Sequence, residues 1–159
     1  MSALYFAYGS NMCSAQMTER CPSAKLQDIA VLPGHRLTFP RFSSRRRCGV
    51  AGFCPDPQSD VWGVVYRLSA EDLMVLDRIE GYDPQRQANA NRYNRITVEV
   101  RLGGPLGAAL RCHTYDAVPE PGSFIPSADY KETMVRGART SSLPHHYLDM
   151  LLAVDTSSA

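Results

Sequence analysis

The chain has 159 residues, 44% hydrophobic and 21% charged, and its 17 Lys and Arg nearly balance its 16 Asp and Glu, for a formal net charge of +1. This size and composition suit a single domain over residues 1–159, and the near-neutral charge speaks against a broad electrostatic footprint for nucleic acid or an anionic membrane. No apolar stretch approaches the ~20 residues of a bilayer-spanning helix, and the basic n-region of a signal peptide is missing, so a cytoplasmic protein is expected.

In chain order, Leu4-Tyr5-Phe6-Ala7-Tyr8 predicts a short buried strand stopped by Gly9. Cys13–Arg20 predicts a short helix ending before Pro22. Ala24–Phe39 reads as extended chain bent at Pro33-Gly34, a turn signal. Residues 40–60, rich in Arg, Ser, Gly, Pro and Asp, read as loops around a short strand at Gly49–Phe53. Arg45-Arg46-Arg47 within them is the densest basic run, and it reads as a solvated loop rather than a phosphate site.

The run from Val61 to Leu68, β-branched and aromatic, predicts a strand buried on both faces. Ser69-Ala70-Glu71-Asp72 has the form of a capping box. The helix it opens presents Leu73, Leu76 and Ile79 on one stripe and ends near Glu80, with Gly81 as a left-handed cap. Tyr82–Asn91 is a polar loop. Tyr93–Leu102 and Ala108–Ala117 alternate as strands around Gly103-Gly104-Pro105 and form an antiparallel hairpin. Ser127–Arg136 and Pro144–Val154 predict two closing helices, with His145 and His146 as surface or packing residues and a frayed tail from Thr156 to Ala159. The order of elements predicts an α+β fold. Its mixed, mostly antiparallel sheet curls into a small, partly closed barrel with flanking helices.

Five cysteines without a C-x-x-C pair speak against a disulfide framework or a zinc site, and the four histidines fit no ligand spacing. Two features carry chemistry. Tyr8-Gly9-Ser10-Asn11, at a strand end, fits either an ordinary turn or a loop whose N–H groups bind an oxyanion. Glu80 sits at the negative end of a helix, where its neutral form is favoured, and fits either a solvated side chain or a general base. Asp77, Glu71 and Asp72 read as solvated helix charges. Neither a nucleophile elbow nor a nucleotide-binding glycine loop is present.

Four blocks occur in an order that resembles the gamma-glutamylcyclotransferase family, with its AIG2-like fold: Leu4–Met12, Val61–Tyr66, Leu76-Asp77-Arg78-Ile79-Glu80-Gly81, and Pro126–Tyr147 with Tyr130. The resemblance implies a cofactor-independent, metal-free enzyme acting on a small gamma-glutamyl substrate, as a monomer or homodimer. In it Glu80 is the acid/base. Tyr5, Phe6, Ala7, Tyr8, Gly9, Ser10 and Asn11 cradle the glutamyl group, and Tyr130 contributes a hydroxyl. The reaction implied is attack of the α-amine on the γ-carbonyl, releasing 5-oxoproline. The alternatives are a gamma-glutamylamine cyclotransferase and a non-catalytic binding module on the same fold. The stretch Tyr82–Arg92 is longer and more polar than the resemblance implies and leaves the departing group open.

Overall fold

Among the described residues, 1–157 of a computed structural model, five strands carry the fold: β1 (Ser2–Ala7), β2 (Lys25–Ser43), β3 (Cys48–Ser69), β4 (Tyr93–Leu102) and β5 (Ala109–Ala117). They pair in the order β1-β3-β2-β4-β5 into a closed barrel. All pairings are antiparallel except the closing one, where β1 and β5 run parallel at Tyr5 and His113. The mixed sheet is as expected, but the barrel is closed rather than partly closed. Side chains supplement the short final ladder: Thr114 Oγ1 donates to Phe6 O at 2.8 Å, and the Tyr8 hydroxyl donates to Tyr115 O at 2.6 Å.

Four helices flank the barrel: α1 (Ser14–Arg20), α2 (Ala70–Glu80), α3 (Ala128–Thr140) and α4 (His145–Leu152), with 3-10 turns at Ser10–Met12 and Ala88–Ala90. Phe6, Met12, Met17, Leu68, Leu76, Met134 and Leu151 are fully buried and join barrel to helices in one core. Each such side chain contributes roughly 1.5–3 kcal/mol by leaving water.

The largest departure from the sequence reading is residues 40–60. They are not loops around a short strand but the middle of one long hairpin, reversing only at residues 44–47. Pairing across it, such as Leu37 with Phe53 and Arg41 with Val50, overrides a turn-like composition. Irregularity is absorbed by register shifts, and Pro33-Gly34 is one of these: it kinks β2 without reversing it. The arm before α3 straps the hairpin tip. Gly49 N–H donates to Ile125 O at 2.8 Å, Glu120 N–H to Pro40 O at 2.9 Å, and Arg41 Nη1 to Val118 O at 2.7 Å.

The start of α2 forms as the capping sequence predicts, because Ser69 Oγ accepts the Asp72 N–H at 3.1 Å. The reciprocal half is replaced by Ser23, whose hydroxyl accepts the Ser69 N–H at 3.0 Å while Asp72 Oδ2 accepts the Ser23 N–H at 2.9 Å. Gly81 ends the helix at φ 74°, a conformation side chains disfavour, and the Tyr82 N–H returns to Asp77 O at 2.8 Å. α3 lies directly on the 3-10 turn. A Cβ on Gly137 would stand 2.4 Å from the Met12 carbonyl carbon. The tail is not frayed at Ser157, whose N–H donates to Pro126 O at 2.9 Å; the expectation for Ser158 and Ala159 lies outside the described residues.

Candidate active site

One cavity of about 470 Å³ opens at the end of the barrel where β1 runs into the Gly9 turn. Tyr5, Tyr8, Gly9, Ser10, Asn11, Glu80 and Tyr130 all line it. Phe6 and Ala7 do not. Both are fully buried in the core, and β1 gives the cavity only Tyr5 and the residues after its end. Strand alternation is the cause at Phe6, because neighbouring side chains point to opposite faces.

The Gly9 loop is one turn of 3-10 helix over Ser10–Met12, with Gly9 as its N-cap. The first N–H groups of such a turn have no acceptor within it. Side chains fix its shape. Tyr66 donates its hydroxyl to Asn11 O at 2.8 Å, and Gln16 Nε2 donates to Ser10 Oγ at 2.8 Å and to Asn11 Oδ1 at 2.9 Å.

Glu80 reaches the same cavity from the last residue of α2, its side chain 18% exposed. Arg20 joins the two halves of the site, with Nη1 3.1 Å from Asn11 Oδ1 and 3.9 Å from Glu80 Oε1. Burial raises the pKa of Glu80 above the ordinary carboxylate value, and the arginines around it, Arg20 foremost, only partly offset that. Its place at a helix C-terminus acts in the same direction.

Five tyrosines line the cavity: Tyr5, Tyr8, Tyr93, Tyr115 and Tyr130. Burial lifts all five phenols, Tyr130 to about 12, so they remain protonated near neutral pH. Three of their hydroxyls donate to the protein: Tyr8 to Tyr115 O, Tyr93 to Ala51 O at 2.5 Å, and Tyr115 to Asp77 Oδ1 at 2.7 Å. Tyr5 and Tyr130 instead accept, from Asn11 Nδ2 and from the Ala51 N–H, both at 3.1 Å. Their own protons are therefore left to donate to a ligand.

The structure corrects two further sequence readings here. Asp77 is not a solvated helix charge: its side chain is 14% exposed, and it receives the Tyr115 hydroxyl and Arg95 Nη1, the latter at 2.9 Å. The turn at residues 44–47 is not wholly solvated either. Arg46 is half-buried, 5.2 Å over the ring of Tyr130, with Nη2 2.7 Å from Gln16 Oε1 and 3.3 Å from Ser10 Oγ. The polar stretch after Gly81 does adjoin the site, since Arg92 and Tyr93 line the cavity. Asn91 holds it closed through bonds to Asp83 and Asn94. Arg20, Tyr93 and Tyr115 were missed from sequence. A cationic side chain on the helix after the glycine loop, and a single tyrosine on each of β4 and β5, were the available signals. Among the described residues no group of three or more His, Cys, Asp or Glu is placed to hold a metal, and no helix is long and apolar enough to cross a membrane.

Comparison with known proteins bears on what this cavity does. The model of the AIG2-like family matches residues 60–151. Over 156 residues the chain is 31% identical to gamma-glutamylcyclotransferase from Mus musculus, spanning 96% of this chain and 78% of that protein. It is also 31% identical, over 158 residues, to gamma-glutamylcyclotransferase from Homo sapiens, spanning 97% and 79%. A solved structure of a gamma-glutamyl cyclotransferase superposes with a TM-score of 0.89 at 30% identity, covering 100% of this chain and 91% of that one. A solved AIG2-like protein from Mus musculus reaches a TM-score of only 0.52 at 19% identity over 76% of this chain and 80% of its own, and shares the fold alone.

Proposed function

We propose, for a chain that belongs to the AIG2-like family and within it to the gamma-glutamylcyclotransferases, that Glu80 is the group that moves protons in the reaction. The enzyme acts on small gamma-glutamyl substrates and releases 5-oxoproline. One observation carries the assignment of Glu80. It is a carboxylate of raised pKa at the base of a tyrosine-lined cavity, tied through Arg20 to the loop that supplies free N–H groups.

The α-ammonium of the glutamyl group docks against Glu80, which removes one proton. The neutral amine attacks the γ-carbonyl carbon of the same molecule, forming the C–N bond of a five-membered ring. Holding both ends of the substrate in one cavity makes the step intramolecular, an advantage of up to roughly 7–11 kcal/mol. Negative charge develops on the carbonyl oxygen and is met by N–H groups of the Gly9–Asn11 turn. The protonated Glu80 then gives its proton to the departing nitrogen as the amide C–N bond breaks, and the carboxylate so regenerated takes the second proton from the ring nitrogen and passes it to the departing amine. The phenols of Tyr5 and Tyr130, whose protons the protein leaves unused, orient the glutamyl group. All of these groups come from one chain, so the site is complete in a monomer and also fits a homodimer. Five free cysteines fit a reducing, cytoplasmic setting.

The test is release of 5-oxoproline and alanine, in equal amounts, from gamma-glutamyl-alanine by the purified protein. Glu80 must be ionised to act, so kcat/KM should fall as pH drops through an apparent pKa above the ordinary glutamate value of about 4.3. Turnover of gamma-glutamylamines in preference to gamma-glutamyl-alanine would select the amine-specific alternative. Binding without any 5-oxoproline would select the non-catalytic one.

A further inference from the structure

The arginine run on the turn between β2 and β3 is left without a role by this chemistry, yet Arg45 and Arg46 both line the cavity. Arg20, Arg41 and Arg92, with these two, face only two carboxylates in the lining, Glu80 and Glu120. Arg20 pairs with Glu80 and Arg41 with Glu120, each at 3.9 Å. Among the described residues neither Arg45 nor Arg46 has a carboxylate within ion-pair distance. Arg46 is held by neutral groups only, the ring of Tyr130, Gln16 Oε1 and Ser10 Oγ. Its guanidinium is thereby fixed in place while its charge stays unmatched. Both cations act on the site, since each lowers the pKa of Glu80.

The proposed chemistry decides what reaches them. With the ammonium of the substrate against Glu80 and the γ-carbonyl at the Gly9 turn, the departing amino acid extends outward, past the tip of the hairpin. We infer that Arg45 and Arg46 form a leaving-group subsite that selects gamma-glutamyl substrates whose departing amino acid carries a side-chain carboxylate, of the gamma-glutamyl-glutamate or gamma-glutamyl-aspartate class. This rests on the gamma-glutamyl reading of the cavity and adds the charge of the leaving group to it. A planar guanidinium recognises a carboxylate through two parallel hydrogen bonds, which also fixes the orientation of the departing residue.

The matched pair gamma-glutamyl-glutamate and gamma-glutamyl-glutamine has one shape and differs by one charge. Steady-state release of 5-oxoproline from each should give the acid a kcat/KM advantage of about fivefold, the effect of one partly exposed ion pair, expressed mainly in KM. High salt should shrink that ratio. Arg46→Gln should bring it toward one. Arg45→Gln should lower it too, and serves as the second variant because the Arg45 side chain is exposed and its loss spares the packing around Tyr130. Equal kcat/KM for the two substrates in the wild type overturns the subsite. So does a loss in Arg46→Gln that is the same for both substrates, which would assign Arg46 to the glutamyl carboxylate instead. Absence of 5-oxoproline from every substrate is a different failure, because it removes the underlying cyclotransferase reading along with the subsite.

Discussion

The floor and the rim of the cavity are built on opposite principles. At the floor, polar groups meet partners of the protein's own: Glu80 meets Arg20, Arg20 meets Asn11, Asn11 meets Tyr5, and Tyr115 meets Asp77. At the rim, among the described residues, Arg46 has neutral partners and Arg45 has no carboxylate within ion-pair distance. A site that must move a proton needs its groups fixed before the substrate arrives, since reorganisation during reaction adds to the barrier. A site that discriminates between leaving groups gains from charge that only the right ligand neutralises. The contrast assigns cyclisation to the floor and selectivity to the rim.

Substitutions at the floor and on its supports should break this contrast in graded steps. Gly137→Ala drives a Cβ into the backbone at Met12 and Cys13, which cannot yield as a flexible side chain would. We expect it to destabilise the fold by about 1–3 kcal/mol in denaturant titration and to cost activity by displacing the 3-10 turn. Tyr130→Phe leaves the Ala51 N–H without its acceptor and removes a donor from the cavity. An effect near the low end of the roughly 1–3 kcal/mol for an unmade buried hydrogen bond is expected in stability, together with a raised KM. Asp77→Asn weakens the bonds from Tyr115 and Arg95, and should lower kcat more than it raises KM, because the ring of Tyr115 packs edge-on against Tyr5 at 5.7 Å.

The smallest effect has the opposite sign. A carboxyl whose pKa is raised in the folded state opposes folding while it is ionised. That penalty is present in full above the folded value and disappears as pH falls to the ordinary carboxylate range. Glu80→Gln should therefore raise the melting temperature slightly at neutral pH, and the gain should vanish near pH 4, about the ordinary glutamate value.

Local pattern made much of this legible in the sequence. The run from Val61 to Leu68 and the alternation in Tyr93–Leu102 were readable because burial imposes periodicity, and Ser69 and Gly81 because helix ends need particular residues. Glu80 and the Gly9 turn were visible as candidates, but spacing alone left each with an ordinary reading. Three things were hidden because they depend on contacts far apart in the chain. The long β2–β3 hairpin forms through cross-strand pairs that its Pro- and Gly-rich composition conceals. Asp77 looked solvated until β4 and β5 brought Arg95 and Tyr115 to it. Arg46 looked like one of three exposed cations until the strap at residues 118–126 laid the hairpin tip over Tyr130. Phe6 and Ala7 were included by proximity in sequence to the Gly9 loop, whereas both belong to the core.

The central claim is that Glu80 moves the proton, and it is tested most directly by 5-oxoproline release from gamma-glutamyl-alanine in Glu80→Gln, which keeps the size of the side chain and removes the base. The expected result is a fall in kcat of about 10²–10⁴-fold with an intact fold and a melting temperature no lower than that of the wild type. Release at the wild-type rate by a folded Glu80→Gln protein would contradict it.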